Sequence, residues 1–363
     1  MRFERVASDL STPPIMNLVR PAIARLTGYV PGEQPQAGKF IKLNTNENPY
    51  PASPRVAQAI GQVLDAGLTR YPDPLGDAFR IRAAQLWGLD KDWILCGNGS
   101  DDILTILTRT FVDAGQMLRL PYPSYVLYKT LAEIQGAQAE QVAFGPDWNL
   151  GDDFSRAAAN LKLVFLPNPN SPSGTVIPSA RILELAEALP CPLVIDEAYA
   201  DFAEDHCVRL VEQNEKILIT RSLSKAYGLA GLRFGYVIAR PKWIAELSKV
   251  KDSYNCDALS IAGATAAIDD QVWLRENRAR IVATRGRLEQ ALAELGFSAQ
   301  PSQANFVWCT HPQRPLRPLY EGLKSHRILV RYMHYPNWGD GLRISVGTDE
   351  QMDACMTILK SLL

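Results

Sequence analysis

The chain has 363 residues, more than twice the roughly 150 of an average domain, so two domains, or one large domain with an appendage, are expected. Its 38 Lys and Arg nearly balance 39 Asp and Glu, and the resulting charge of −1 provides no overall field for nucleic acid or an anionic membrane. Uncharged stretches such as 258–268 fall short of the ~20 apolar residues of a membrane span, Met1-Arg2-Phe3-Glu4-Arg5 opens no apolar signal segment, and 6 Cys without a CxxC pair beside 4 His make neither a disulfide framework nor a metal-ligand set; a cytoplasmic location is expected.

Residues 1–40 hold Pro13, Pro14, Pro21, Pro31 and Pro35, and read as an extended arm with a short helix near 22–26 that leans on another surface. From 53 onward, apolar-periodic segments of helical length (53–66, 75–87, 100–113, 124–136 and 178–189) alternate with short apolar runs at 93–96, 117–120, 163–166, 193–195, 217–219 and 236–238. The alternation predicts an α/β fold, a mostly parallel sheet with helices on both faces. After 258 a long helical stretch, 258–295, precedes apolar runs at 306–308, 328–330 and 342–346, which predicts a second, smaller α+β domain. The expected division is 1–50 for the arm and part of the small domain, 51–258 for the large domain and 259–363 for the small domain.

Ligands of an open parallel sheet gather at the carboxyl ends of its strands, so the polar residues after each apolar run are the candidates. After 93–96 comes Gly97-Asn98-Gly99-Ser100-Asp101-Asp102, where glycines permit close backbone approach and the first helical N–H groups can cradle a phosphate. After 163–166 comes a rigid polar turn, Pro167-Asn168-Pro169-Asn170-Ser171-Pro172-Ser173-Gly174. Asp196-Glu197-Ala198-Tyr199 follows 193–195; a strand-end acid there either caps a helix or pairs with a cationic ring nitrogen or a metal. After 217–219, the hydroxyls of Ser222 and Ser224, the Lys225 amine and Arg233 make a compact anion site with one amine nucleophile. Ser-x-Ser-Lys alone is most often a solvated turn, but the spacing through Gly231 and Arg233 is hard to obtain by chance.

Lys225 in Ser222-Leu223-Ser224-Lys225, Asp196 with Tyr199, the Asn-Pro-Asn-Ser-Pro-Ser-Gly turn and Arg343 in Leu342-Arg343-Ile344-Ser345-Val346-Gly347 together resemble the fold-type I pyridoxal-phosphate aminotransferases over nearly the whole chain. Arg20-Pro21, Leu43-Asn44-Thr45-Asn46-Glu47-Asn48-Pro49, Arg70-Tyr71-Pro72-Asp73 and Gln303-Ala304-Asn305-Phe306 are most similar to the histidinol-phosphate aminotransferase group of that family.

The resemblance implies a large domain binding pyridoxal 5′-phosphate and a small domain built from both termini. Lys225 would form the Schiff base and shuttle the proton, Asp196 would pair with the pyridinium nitrogen, Tyr199 would bond the ring oxygen, and Tyr125 would stack on the ring. Ser100, Asp101, Ser222, Ser224 and Arg233 would hold the cofactor phosphate, and Tyr71 would reach the partner subunit's site in a homodimer. Arg343, with Arg331 and Tyr29, would bind the anionic ends of the substrates. The family's ring-oxygen Asn precedes Pro, where this chain has Ser171, so Asn170, the serine hydroxyl or a water takes that contact.

The implied reaction interconverts L-histidinol phosphate plus 2-oxoglutarate with imidazole-acetol phosphate plus L-glutamate, a step of histidine biosynthesis. The alternatives on the same fold are an aromatic or broad-specificity aminotransferase and a threonine-phosphate-type decarboxylase. The segment 332–340, rich in aromatics, has no assigned role.

Overall fold

Apolar residues along the central strands divide by parity. Leu163, Phe165, Val194, Leu218 and Val237 join one buried cluster, while Val164, Leu166, Leu193, Ile195, Ile217 and Ile219 join another. Successive side chains of a strand point to opposite faces, so this split means a sheet covered on both sides. The computed structural model, which describes residues 18–26, 32–34 and 38–363, contains such a sheet.

The strands in chain order are β1 (Ile41–Lys42), β2 (Ile94–Gly97), β3 (Met117–Tyr122), β4 (Gln138–Ala143), β5 (Leu161–Pro167), β6 (Leu193–Asp196), β7 (Ile217–Ser222) and β8 (Gly235–Ile238), then β9 (Ser298–Ala299), β10 (Phe306–Thr310), β11 (Ile328–Leu329), β12 (Arg331–Tyr335) and β13 (Gly339–Ser345). Seven form the large sheet in the order β2-β8-β7-β6-β5-β3-β4. Pairing from β4 through β7 is parallel, and β8 runs antiparallel between β7 and β2. The carboxyl ends of β2, β3, β5, β6 and β7 therefore share one edge, where β8 begins.

A second sheet, β12-β13-β10-β9, is antiparallel, and β1 pairs in parallel with β11. That pairing carries residues just after β1, 43–48, to the edge of the large sheet from the C-terminal side of the molecule.

Two features differ from the sequence expectation. The 258–295 stretch is two helices, Ala258–Asp269 and Gln271–Glu294, because Asp270 caps the second by accepting from the Trp273 N–H and is itself held by Ser53 Oγ at 2.5 Å. Strand β4 has a polar sequence with only Val142 buried, and it joins the sheet at an edge, where one partner suffices and charge is tolerated. Among the described residues no helix is long and apolar enough to cross a membrane, and the six cysteines are buried free thiols.

Candidate active site

The strand-end motifs converge on a cavity of about 250 Å³ at the shared carboxyl edge. Its anion end is built from β2, β7 and β8. Ser100 starts the helix Ser100–Phe111, so its first N–H groups, including those of Ser100 and Asp101, lack intrahelical acceptors and face the cavity end. Gly99 precedes it with φ +85°, and a Cβ there would lie 2.5 Å from Arg233 Nη2. Glycine thus lets the guanidinium close on the helix start. Arg233 itself has φ 56°, an uncommon left-handed conformation for a side-chain-bearing residue, with Nη1 3.4 Å from Ser224 Oγ and Nη2 3.6 Å from Asp101 Oδ2. Ser222 and Ser224 line the same end.

Gly235, the first residue of β8, is as tightly placed: a Cβ would meet Ser100 N at 2.6 Å and Arg221 O at 2.9 Å, both backbone atoms. Gly235→Ala is expected to cost about 1–3 kcal/mol in denaturant unfolding. It should also weaken binding of a phosphate-bearing ligand, measured by equilibrium titration, because the helix start must shift.

At the centre, Lys225 Nζ donates to the Thr45 carbonyl at 3.2 Å and sits 5.7 Å from the centre of the Tyr199 ring. Asp196, 5% exposed, ends β6 with three donors on its carboxylate: Tyr128 Oη at 2.7 Å, Thr220 Oγ1 at 3.1 Å and the Ala198 N–H at 3.2 Å. Burial pushes the Asp196 carboxyl above the usual carboxylate range, and those hydrogen bonds pull it back. A buried acid so placed calls for a cation beside it. Its neighbour Glu197 points to the opposite face, where it pairs at 2.6 Å with buried Arg221, the residue before Ser222; Arg221 also bonds Asp201. This ion cluster staples the ends of β6 and β7 beneath the site. Tyr125, after β3, donates to Asp101 Oδ1 at 3.2 Å and lines the cavity.

Arg331 and Arg343 stand directly opposite each other on β12 and β13, and both line the cavity. Directly opposed residues project from the same face, and like charges so placed repel, a cost that an anion between them recovers. Arg343 donates to Ser171 Oγ at 2.9 Å and to the Asn44 carbonyl at 3.2 Å.

Ser171 lines the cavity, whereas Asn170 does not: its amide donates to the Pro123 carbonyl at 3.3 Å and to Ser173 Oγ at 2.9 Å. Tyr71 is also absent from the lining; it is 81% exposed and stacks on Tyr254 with ring centres 4.5 Å apart. Tyr29 lies outside the described residues.

Sequence reasoning did not single out Tyr128, Thr220, Thr45 or Asn46. Tyr128 lies 68 residues from Asp196, a separation that leaves no local signal. Thr45 and Asn46 fall within a quoted motif that suggested kinship but no role.

Residues 38–359 match the family model for aminotransferase class I and II. The chain belongs to this family. Over 342 residues, 94% of each chain, it is 57% identical to the histidinol-phosphate aminotransferase of Rhodopirellula baltica. It is 45% identical to that of Geotalea uraniireducens, covering 95% of this chain and 99% of the relative. A crystal structure of the Sinorhizobium meliloti histidinol-phosphate aminotransferase in complex with pyridoxal-5′-phosphate superposes with a TM-score of 0.87 at 27% identity, covering 95% of this chain and 98% of the other.

Proposed function

We propose that this protein interconverts L-histidinol phosphate plus 2-oxoglutarate with imidazole-acetol phosphate plus L-glutamate, using pyridoxal 5′-phosphate. The observation that carries the reading is the meeting of an amine, a buried acid and an anion cradle around one cavity, in a chain 57% identical to a relative of that name.

The donor set fits the cofactor. Helical N–H groups at Ser100 and Asp101, two serine hydroxyls and the Arg233 guanidinium suit a phosphate. Asp196 suits a protonated ring nitrogen, Tyr125 offers a ring face, and Tyr199 a hydroxyl for the ring oxygen, with Ser171 rather than Asn170 on the cavity side of that turn. Thr45 Oγ1 lines the cavity and is buried without a hydrogen-bond partner among the described residues, as expected of a group that meets a ligand.

When bound, pyridoxal 5′-phosphate supplies an electron sink for charge developing at the substrate α-carbon. Lys225 Nζ would hold the cofactor and, as a free amine, would be the base that removes and returns the α-carbon proton. Asp196, its carboxylate held by Tyr128, Thr220 and the Ala198 N–H, would pair with the protonated ring nitrogen. Arg343 and Arg331 bind the carboxylates of glutamate and 2-oxoglutarate in one half-reaction and the phosphate monoester in the other. A guanidinium fork matches both carboxylate and phosphate oxygens.

Two copies are proposed to complete one another's sites. Tyr71 does not line its own cavity and is exposed together with Leu68 and Leu75, which suits a tyrosine that reaches the phosphate of a partner. The buried free thiols suit a reducing cytoplasm.

A half-reaction titration tests the reading. Histidinol phosphate and glutamate are each expected to bleach the cofactor's visible band, and phenylalanine to do so far less readily; preference for phenylalanine would favour an aromatic aminotransferase, and carbon dioxide release without oxo-acid consumption a decarboxylase. Arg343→Gln should retain the band and lose about 100-fold or more in kcat/KM for both donors, the loss typical of removing one partner of a desolvated charge pair. An unchanged kcat/KM would remove Arg343 from the substrate site.

A further inference from the structure

We propose that Asn46 is a positioning residue that orients the Tyr199 hydroxyl toward the cofactor and ties it to the strand bearing Arg343. The inference rests on the reading that Tyr199 bonds the ring oxygen.

Asn46 is 1% exposed, and every polar group it has is engaged across the molecule. Its backbone N–H donates to Ser345 Oγ at 2.8 Å, and its carbonyl accepts from Asn305 Nδ2 at 3.0 Å. Ser345 Oγ, having accepted from that N–H, keeps its own proton to donate to Asn46 Oδ1 at 3.0 Å. This fixes which end of the amide is which: Nδ2 faces Tyr199 and donates to its hydroxyl at 2.9 Å.

The consequence for Tyr199 follows from its inventory. A phenol has one proton. With its oxygen accepting from Asn46, that proton is directed elsewhere, and the cavity that Tyr199 lines is the open direction. A hydroxyl that receives a hydrogen bond is also the stronger donor. Asn46 holds φ 56°, a conformation Asn tolerates better than most residues, so the strap from 44 to 48 is bent to bring this amide inward.

The same strap touches the other working side chains. Asn44 O accepts from Arg343, Thr45 O from Lys225 Nζ, and Asn48 Nδ2 donates to the Ala226 carbonyl at 2.9 Å. Ser345 is two residues from Arg343 on β13 and so on the same face. Asn46 therefore joins the substrate-binding strand to the cofactor-binding tyrosine by two side-chain hydrogen bonds.

The test uses the holoenzyme and the pH midpoint of its visible band. A donor on the ring oxygen stabilises that oxygen's anionic form, so weakening the donor raises the midpoint. Asn46→Gly suits the positive φ and removes the amide; it is expected to raise the midpoint by about half a pH unit or more. Ser345→Ala leaves the amide but not its orienting partner, and should shift it less, in the same direction. The charged groups around the cavity, Glu47, Asp101, Asp196, Lys225, Arg233, Arg331 and Arg343, are untouched in both variants. In a Tyr199→Phe background, where the midpoint is already raised, Asn46→Gly should add nothing.

A wild-type midpoint in Asn46→Gly with a raised one in Tyr199→Phe overturns the proposal, as does an additive shift in the double variant. If Asn46→Gly does not hold cofactor, an unshifted Ser345→Ala overturns it on the same criterion. An unshifted Tyr199→Phe sinks instead the contact between Tyr199 and the cofactor, and this proposal with it.

Discussion

Lys225→Ala protein is expected to lose its cofactor's lysine-linked visible band and about four orders of magnitude or more in kcat, while remaining folded. In the proposed role one side chain carries both jobs, covalent attachment and proton transfer at the substrate α-carbon. Neither passes readily to a neighbour. Tyr199 is the group under the Lys225 amine, and its hydroxyl is already engaged by Asn46 Nδ2. Stability should change little, because Nζ makes a single described hydrogen bond, to Thr45 O at 3.2 Å, in a partly buried setting. The phosphate cradle is untouched, so cofactor should still bind, more weakly. A small primary amine added to the solution is expected to restore part of the rate, since the truncation leaves room beside Thr45. Wild-type turnover by this variant would refute the proposed role.

Asp196→Ala is expected to lower kcat/KM by about 10²–10⁴-fold, the range that follows from leaving a buried cation without its counter-ion. The sign of the pH dependence is equally specific. A carboxylate beside the ring nitrogen raises the pKa of that nitrogen; without it the nitrogen loses its proton at lower pH, so residual activity should move toward acid. Burial lifts the Asp196 carboxyl itself above the ordinary range in the cofactor-free protein. Protonating it removes the attraction, so cofactor affinity should fall as the pH drops, beginning above the range where an ordinary carboxylate titrates. Affinity measured by equilibrium dialysis between pH 4 and 8 checks this; a flat profile would detach Asp196 from the cofactor nitrogen.

Tyr128 bears on the same variant. Its hydroxyl donates to Asp196 at 2.7 Å from a wholly buried position, beside Thr220 Oγ1. Removing Asp196 strands both hydroxyls, so Asp196→Ala also carries a stability cost, which thermal unfolding separates from the catalytic loss.

The candidate site was legible where its parts are close in sequence. Ser222, Ser224, Lys225 and Arg233 lie within twelve residues from the last residue of β7, and Ser100 and Asp101 open one helix, so local spacing was enough to mark them. Asp196 and Tyr199 were legible for the same reason. Thr45, Asn46 and Tyr128 were not, because each acts on a residue far along the chain and none carries unusual local chemistry. The difference between Asn170 and Ser171 was likewise hidden. Adjacent residues in a turn can point in any relative direction until tertiary partners, here the Pro123 carbonyl for one and Arg343 for the other, choose.

Length, near-neutral charge and the alternation of apolar runs with amphipathic segments determined an α/β enzyme with its chemistry at strand ends, because periodicity and turn residues are local properties of a chain. Tertiary structure decided what the 43–48 strap does and how Arg331 comes to face Arg343. It also decided where the long C-terminal helix breaks, at an Asp270 held by a serine 217 residues away. Those outcomes depend on which distant surfaces meet, and pairing between remote segments is encoded only in the packing of the whole.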